Sequence, residues 1–140
     1  MRGALGWLPT ILLLPAAAIL LWIGYTGDVS SLLLGLLALV LAWWFSPRHG
    51  SDATHASVTT EPLEHPVVIY WRPGCLYCAR LRAALGSRGR TAAWVNIWAD
   101  TEAAAFVRSV NDGDETVPTV VIAGVAHTNP EPRTVRAALG

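Results

Sequence analysis

The first third of the chain almost lacks charge. Between Gly3 and Pro47 the only charged residue is Asp28, whereas nine of the ten acidic and nine of the ten basic residues lie beyond Pro47. Charged residues make up only 14% of the chain and hydrophobic residues 53%, and the mean hydropathy is +0.41. This composition excludes a fully soluble globular protein and a disordered chain. The balance of ten basic and ten acidic residues excludes a nucleic-acid binder with a basic surface.

Cysteine is also scarce. The chain has two cysteines, Cys75 and Cys78, which excludes a small fold held together by several disulfides. The charged remainder, roughly 75 residues, is long enough for one small soluble domain.

Two apolar segments, residues 3–27 and 29–47, occupy the uncharged region. A helix of roughly 20 residues spans the ~30 Å hydrocarbon core of a bilayer, so the first segment is long enough and the second is just long enough. The polar turn at residues 25–28 separates them, and tryptophans lie near both expected membrane interfaces. The sequence therefore predicts a two-helix transmembrane hairpin over residues 1–47.

Arginines at the two ends of this region indicate its orientation. Arg2 precedes the first segment and Arg48 follows the second, whereas the turn carries only Asp28. The positive-inside rule then predicts a two-pass protein of the cell membrane with its soluble domain in the cytoplasm. A cleaved signal peptide ending near residues 15–18 is the alternative, but the apolar run continues to Ile23, which favours the hairpin.

Residues 48–64 are polar, contain Pro, Ser and Thr, and have no apolar periodicity. They predict a flexible linker in which His49 and His55 are solvated.

Residues 65–140 alternate between strand and helix patterns. Helices are predicted after the Cys-x-x-Cys motif, from Asp100 or Thr101, and after Asn129 as N-cap with Pro130 in the first helical position. The predicted strands are 67–71, 94–97, 119–122 and 125–128. The order β-α-β-α-β-β-α, with Cys-x-x-Cys at the end of the first strand, indicates a minimal thioredoxin-like α/β domain.

Cys75 and Cys78 lie between the first predicted strand and its helix. Unpaired N–H groups and the dipole at a helix N-terminus stabilise a thiolate, so Cys75 is the predicted nucleophile. Cys78, one helical turn later, is the predicted resolving thiol. A structural disulfide across so short a loop removes little chain entropy, and a closed zinc site needs four ligands, so no bound metal is expected. A metal cluster shared between two chains stays an alternative.

The segment Thr116-Val117-Pro118-Thr119 precedes the third strand. Proline at the start of a strand is typical of a turn or a cis peptide bond. A cis Val117–Pro118 bond would leave the Val117 N–H and C=O free to pair with an extended thiol substrate.

Residues 67–139 resemble the glutaredoxin branch of the thioredoxin superfamily, and most of all the mycoredoxins. Thr128-Asn129-Pro130 stands where glutathione-dependent glutaredoxins usually have a Gly-Gly-x-Asp-like turn, and the Trp-Cys-Gly-Pro-Cys motif usual in thioredoxins is absent. The resemblance therefore implies mycothiol, a cysteine-bearing pseudodisaccharide thiol, as the reducing cosubstrate. The matching segments are 75–81, 104–107, 109–111, 116–120 and 128–130.

The resemblance implies a membrane-anchored thiol–disulfide oxidoreductase that reduces mixed disulfides between proteins and a low-molecular-weight thiol. Cys75 would attack the mixed disulfide and a second mycothiol would resolve it, with Cys78 providing a side route. A dithiol reductase supplied by thioredoxin reductase or a membrane donor, a membrane-tethered iron–sulfur or metal carrier, and a hairpin that itself binds a partner are the alternatives. The residues expected to line the thiol-binding groove are Tyr77, Val117, Pro118, Thr128 and Asn129.

Overall fold

The computed structural model describes residues 8–46, 53–60 and 65–140. The chain divides into two compact units, residues 1–49 and residues 50–140.

The first unit is a helical hairpin of α1 (Leu8–Tyr25) and α2 (Val29–Trp44). Asp28 caps α2, because its carboxylate accepts hydrogen bonds from the backbone N–H groups of Ser30 and Ser31. Within the described ranges, α1 is long and apolar enough to span a membrane, and α2, with 16 residues, is shorter. The structure thus confirms a helix pair around the predicted turn, and membrane crossing by both helices stays a prediction.

Small residues bring the two helices of the hairpin into close contact. A Cβ atom on Gly24 would lie 2.6 Å from the backbone of Leu32, and one on Gly35 would lie 2.8 Å from the Leu21 side chain. Buried alanines continue this seam at Ala17, Ala38 and Ala42. Close backbone approach at small residues is the packing that helices use in a lipid environment, where leucine contacts give little net gain.

Residues 53–60 do not form the flexible linker that the sequence predicts. The Ala53 N–H donates to the Trp94 carbonyl at 3.2 Å, and the short helix α3 (His55–Thr60) buries Val58 in the domain core. His55 contacts the domain and is not solvated as predicted. Its backbone N–H donates to Asp100 Oδ2 at 2.7 Å, and its ring Nδ1 lies 2.9 Å from the Tyr70 hydroxyl. These partners are distant in the sequence, so no local pattern indicates them.

The rest of the second unit is a four-stranded mixed sheet flanked by helices. Its strands are β1 (Val67–Trp71), β2 (Ala93–Asn96), β3 (Thr119–Ile122) and β4 (Val125–Thr128), in the order β2-β1-β3-β4. β1 pairs with β2 in parallel and with β3 antiparallel, and β4 closes the far edge antiparallel to β3. β1 is central and apolar throughout, and all five of its residues are buried, as expected for a strand covered on both faces.

Three helices and one 3₁₀ turn complete this unit. They are α4 (Leu76–Leu85), the 3₁₀ turn Gly86–Arg90, α5 (Thr101–Val110) and α6 (Pro132–Ala138). The predicted element order is confirmed, as are Asp100 as the cap of α5 and the bounds of β1, β3 and β4.

The predicted start of the last helix is wrong. Helix α6 begins at Pro132 with Glu131 as its N-cap residue. Asn129 instead has a left-handed φ of 46°, and its N–H donates to the Pro118 carbonyl at 2.7 Å. Asn129 therefore ends β4 next to the Val117–Pro118 segment.

Candidate active site

Cys75 is the N-cap residue of α4, directly after the turn that ends β1. Its Sγ accepts a hydrogen bond from the Cys78 N–H at 3.2 Å and therefore satisfies a donor that the helix itself leaves free. This N–H and the dipole of the helix N-terminus both favour negative charge on the sulfur. The side chain is half-buried, so the sulfur is held in place and still open to attack a substrate.

Cys78 lies one turn into α4 and is buried, with only 3% of its surface exposed. Its Sγ lies 2.7 Å from that of Cys75 and donates to it. Burial, then the hydrogen bond to Cys75 and the charge of Cys75, raise the pKa of the Cys78 thiol far above its usual range. Cys78 is therefore a neutral thiol beside a reactive one.

The Val117–Pro118 peptide bond is cis, as the sequence predicts. This segment faces Cys75, because the Cys75 Sγ lies 3.4 Å from the Val117 carbonyl oxygen. Pro118, which was also expected to line the thiol-binding groove, is fully buried and is not part of the groove lining. The Val117 backbone consequently forms one wall beside the reactive sulfur.

A solvent-open groove of about 610 Å³ lies over Cys75. Tyr77 and Leu76 line this groove and are themselves exposed, at 61% and 82% of their surface. Of the sequence-predicted groove residues, Tyr77, Val117 and Asn129 line the groove. The full lining is Arg72, Gly74, Cys75, Leu76, Tyr77, Asp114, Glu115, Thr116, Val117 and Asn129.

Thr128 does not line the groove, although the family resemblance implies that it should. Its hydroxyl donates to Asn111 Oδ1, and its side chain is not part of the groove lining. Asn111 also donates through Nδ2 to the Val107 carbonyl at 2.8 Å and to Thr119 Oγ1 at 3.0 Å. The Thr119 hydroxyl in turn donates to the Thr116 carbonyl at 2.8 Å. This network ties the end of α5 to the Val117–Pro118 segment.

Charges of both signs line the groove. Arg72 is one of the lining residues, with its guanidinium 6.0 Å from the centre of the Trp98 ring. Asp114 and Glu115 are also lining residues, and Glu115 pairs with Arg108 at 2.5 Å whereas Asp114 is exposed. Over the described residues, no group of three or more His, Cys, Asp or Glu side chains is placed to hold a metal ion.

Comparison with known proteins agrees with this geometry. Residues 67–127 match the glutaredoxin family model. Two Mycobacterium tuberculosis proteins, from strains CDC 1551 and H37Rv and each named a putative glutaredoxin, are 43% identical to the chain over 74 residues. The match covers 52% of this chain and 88% of each relative.

The chain belongs to the glutaredoxin family. Glutaredoxins act on thiols and protein mixed disulfides, and the site described above has the parts that thiol–disulfide exchange needs. A nucleophilic sulfur lies at a helix N-terminus, a second thiol lies beside it, and an open groove admits a disulfide. Membership of the glutaredoxin family therefore supports thiol–disulfide oxidoreductase activity for this domain.

Proposed function

We propose that the protein is a membrane-anchored oxidoreductase that reduces mixed disulfides between proteins and mycothiol. The observation that carries the proposal is the position of Cys75, whose capped and half-buried sulfur lies at the base of an open groove beside the Val117 carbonyl.

The proposed reaction runs in two exchanges. The Cys75 thiolate attacks the mycothiol sulfur of the mixed disulfide, and the substrate cysteine leaves as a thiolate that takes up a proton. Mycothiol is then disulfide-bonded to Cys75. A second mycothiol thiolate attacks the sulfur of the bound mycothiol, releases the Cys75 thiolate and leaves as part of a mycothiol disulfide.

The charges of the groove support mycothiol over glutathione. Glutathione carries two carboxylates, whereas mycothiol has no ionised carboxylate. Asp114 and Glu115 line the groove, and the Asp114 carboxylate has no ion-pair partner within the described ranges. Glu115 is paired with Arg108, and Arg72 lies in the same lining. The support therefore comes from the Asp114 carboxylate, which opposes an anionic ligand by like-charge repulsion and leaves a neutral one unaffected.

A coupled assay on the full chain in detergent micelles tests the proposal. NADPH consumption is followed with a mycothiolated peptide, mycothiol and mycothiol disulfide reductase, and in parallel with glutathione and thioredoxin reductase couples. We expect turnover with the mycothiol couple and its loss in Cys75→Ser. Turnover in Cys75→Ser would overturn the assignment of the nucleophile, and turnover with the thioredoxin reductase couple alone would overturn mycothiol.

The same assay can be run on residues 50–140. A fragment that begins at residue 65 would lack Ala53, His55 and Val58, which contact the domain. We expect equal turnover in the full chain and in the fragment, because the hairpin serves as an anchor. In cells, labelling of Cys75 by a membrane-impermeant maleimide only after lysis would support the cytoplasmic orientation, and labelling of intact cells would contradict it.

A dithiol reductase is the second candidate, and the 2.7 Å separation of the two sulfur atoms favours it. In that reaction Cys78 attacks Cys75, releases the bound thiol and forms an intramolecular disulfide that a reductase must open. It requires both cysteines, whereas the mycothiol reaction requires only Cys75.

A further inference from the structure

A second groove on the glutaredoxin domain is lined by arginines. Its volume is about 740 Å³, and Arg80 on α4 and Arg133 and Arg136 on α6 contribute to its walls. Glu131 is the one acidic residue among its lining residues. We define these lining residues, Arg80, Ala84, Glu131, Pro132, Arg133, Thr134 and Arg136, as the arginine groove.

The arginine groove is continuous with the groove over Cys75. A smaller hollow of about 80 Å³ lies between the two. It shares Tyr77 and Asn129 with the Cys75 groove, and it shares Arg80, Glu131 and Pro132 with the arginine groove. A chain that leaves Cys75 past Tyr77 therefore enters the arginine groove.

The positive charge of this groove is a local concentration. Residues 50–140 contain eight arginines and nine acidic residues, so the domain as a whole is not basic. Two other arginines are engaged elsewhere, since Arg82 stacks 4.1 Å from the Trp94 ring and Arg108 pairs with Glu115. Arg80, Arg133 and Arg136 have no ion-pair partner among the residues that the structure describes, although the Arg136 guanidinium donates a hydrogen bond to the Ala84 carbonyl.

We propose that the arginine groove binds an acidic segment of the protein substrate, next to the cysteine whose mixed disulfide Cys75 attacks. The proposal rests on the proposed function, because it concerns the protein half of that substrate. Charge complementarity points to carboxylates, since guanidinium groups bind them through paired hydrogen bonds. Continuity with the Cys75 groove favours a segment of the reacting protein over an independent ligand.

The test compares three peptide mixed disulfides whose residues beside the cysteine are acidic, neutral or basic. It uses the full chain in nanodiscs of zwitterionic lipid. Two exposed ion pairs of roughly 0.5–0.7 kcal/mol each give about a fivefold to tenfold higher kcat/KM for the acidic peptide than for the neutral one. This preference should shrink at 1 M salt, where the screening length falls to about 3 Å.

Arg133→Glu is the diagnostic variant and Arg90→Glu is its control. Both side chains are exposed and both substitutions change the net charge equally, but Arg90 lies in the 3₁₀ turn and not in the groove. We expect Arg133→Glu to abolish the preference for the acidic peptide and to improve turnover of the basic one. Arg90→Glu should retain the preference, and both variants should reduce a flank-free cysteine mixed disulfide normally.

Other outcomes separate the two proposals. The fluorescence anisotropy of a labelled, cysteine-free acidic peptide measures binding without turnover. If the peptide binds and Arg133→Glu abolishes this binding, the arginine-groove proposal is supported even if no thiol couple gives activity. Equal kcat/KM for all three peptides and no peptide binding overturn it. The Arg133 side-chain NMR signal distinguishes a lipid headgroup from a peptide. If this signal shifts when anionic lipid is added to the nanodisc but not when the acidic peptide is added, the arginine groove binds a lipid headgroup and the proposal is overturned.

Discussion

Asn111 connects three elements around the active site, which makes Asn111→Ala an informative substitution. Its amide donates to the Val107 carbonyl and to Thr119 Oγ1, and it accepts from the exposed Thr128. Because the exposed Thr128 hydroxyl can form a hydrogen bond with water instead, its bond to Asn111 contributes little to the free energy of unfolding. Each of the two partly buried bonds contributes about 0.5–1.5 kcal/mol, so we expect Asn111→Ala to lower the free energy of unfolding by about 2 kcal/mol.

The same substitution should reduce activity. Asn111 holds Thr119, and Thr119 holds the Thr116 carbonyl beside the Val117 wall of the site. If that wall shifts relative to the Cys75 sulfur, the substrate disulfide loses alignment, and small displacements of reacting groups cost large factors in rate. We expect kcat/KM for a mixed disulfide to fall about threefold to tenfold.

Urea unfolding of residues 50–140, followed by tryptophan fluorescence, and the coupled assay measure the two effects. Asn111→Asp keeps the acceptor for Thr128 and loses both donors, so it should destabilise at least as much as Asn111→Ala. Ser109→Ala, which removes one exposed bond from the same helix, is the control and should stay within about 0.5 kcal/mol of the parent. Parent-like stability and activity in Asn111→Ala would refute the reasoning.

Three further predictions concern other parts of the molecule. Cys78→Ser should retain most mixed-disulfide turnover in the mycothiol couple, because that reaction needs only Cys75; loss of turnover would establish the dithiol route. Burial and the charge of Asp100 raise the pKa of Tyr70 to about 12, so the contribution of Tyr70 to stability should be complete below pH 10 and fall by up to about 2 kcal/mol between pH 10 and 12. In a Cys78→Ser background, which removes the titration of the buried thiol, Tyr70→Phe should remove that fall in pH-dependent urea unfolding, and a fall that persists there would assign it to another group. Gly24→Val places a side chain against the Leu32 backbone, so two spin labels on α1 and α2 should move apart in micelles, whereas Ala18→Val on an exposed face should leave their distance unchanged.

The sequence predicts elements well where the signal is local. The bounds of β1, β3 and β4 follow from short apolar runs between Gly, Pro and Asn turns, and Asp100 caps α5 through its own neighbours. The two cysteines and the cis Val117–Pro118 bond follow from motif spacing. The strand bounds and the helix cap are determined by residues that lie close to each other in the sequence.

The errors all concern contacts between distant residues. His55 belongs to the domain because Tyr70 and Asp100 bind it, and neither partner can be inferred from a polar segment. Asn129 has the residue type of an N-cap, but its hydrogen bond to Pro118 holds it in a left-handed conformation outside the helix. Thr128 is likewise held by a residue distant in the sequence, because its hydroxyl donates a hydrogen bond to Asn111 Oδ1. Residue type predicts a solvated His55 and an N-cap at Asn129, the family resemblance implies a groove position for Thr128, and contacts with distant residues decide all three.

The position and the protonation of Cys78 have opposite consequences for the reaction. Its sulfur lies 2.7 Å from the Cys75 sulfur, within reach of a thiol bound there. Attack requires a thiolate, however, and burial raises the pKa of Cys78. The charge of Cys75, which also raises this pKa in the free pair, is absent once Cys75 carries a bound thiol, so burial is the part of the barrier that remains. A second mycothiol in the open groove meets no such barrier, because its thiol is solvated as it approaches. The external thiol should therefore resolve the intermediate faster than Cys78, which becomes the main resolving group only when free thiol is depleted.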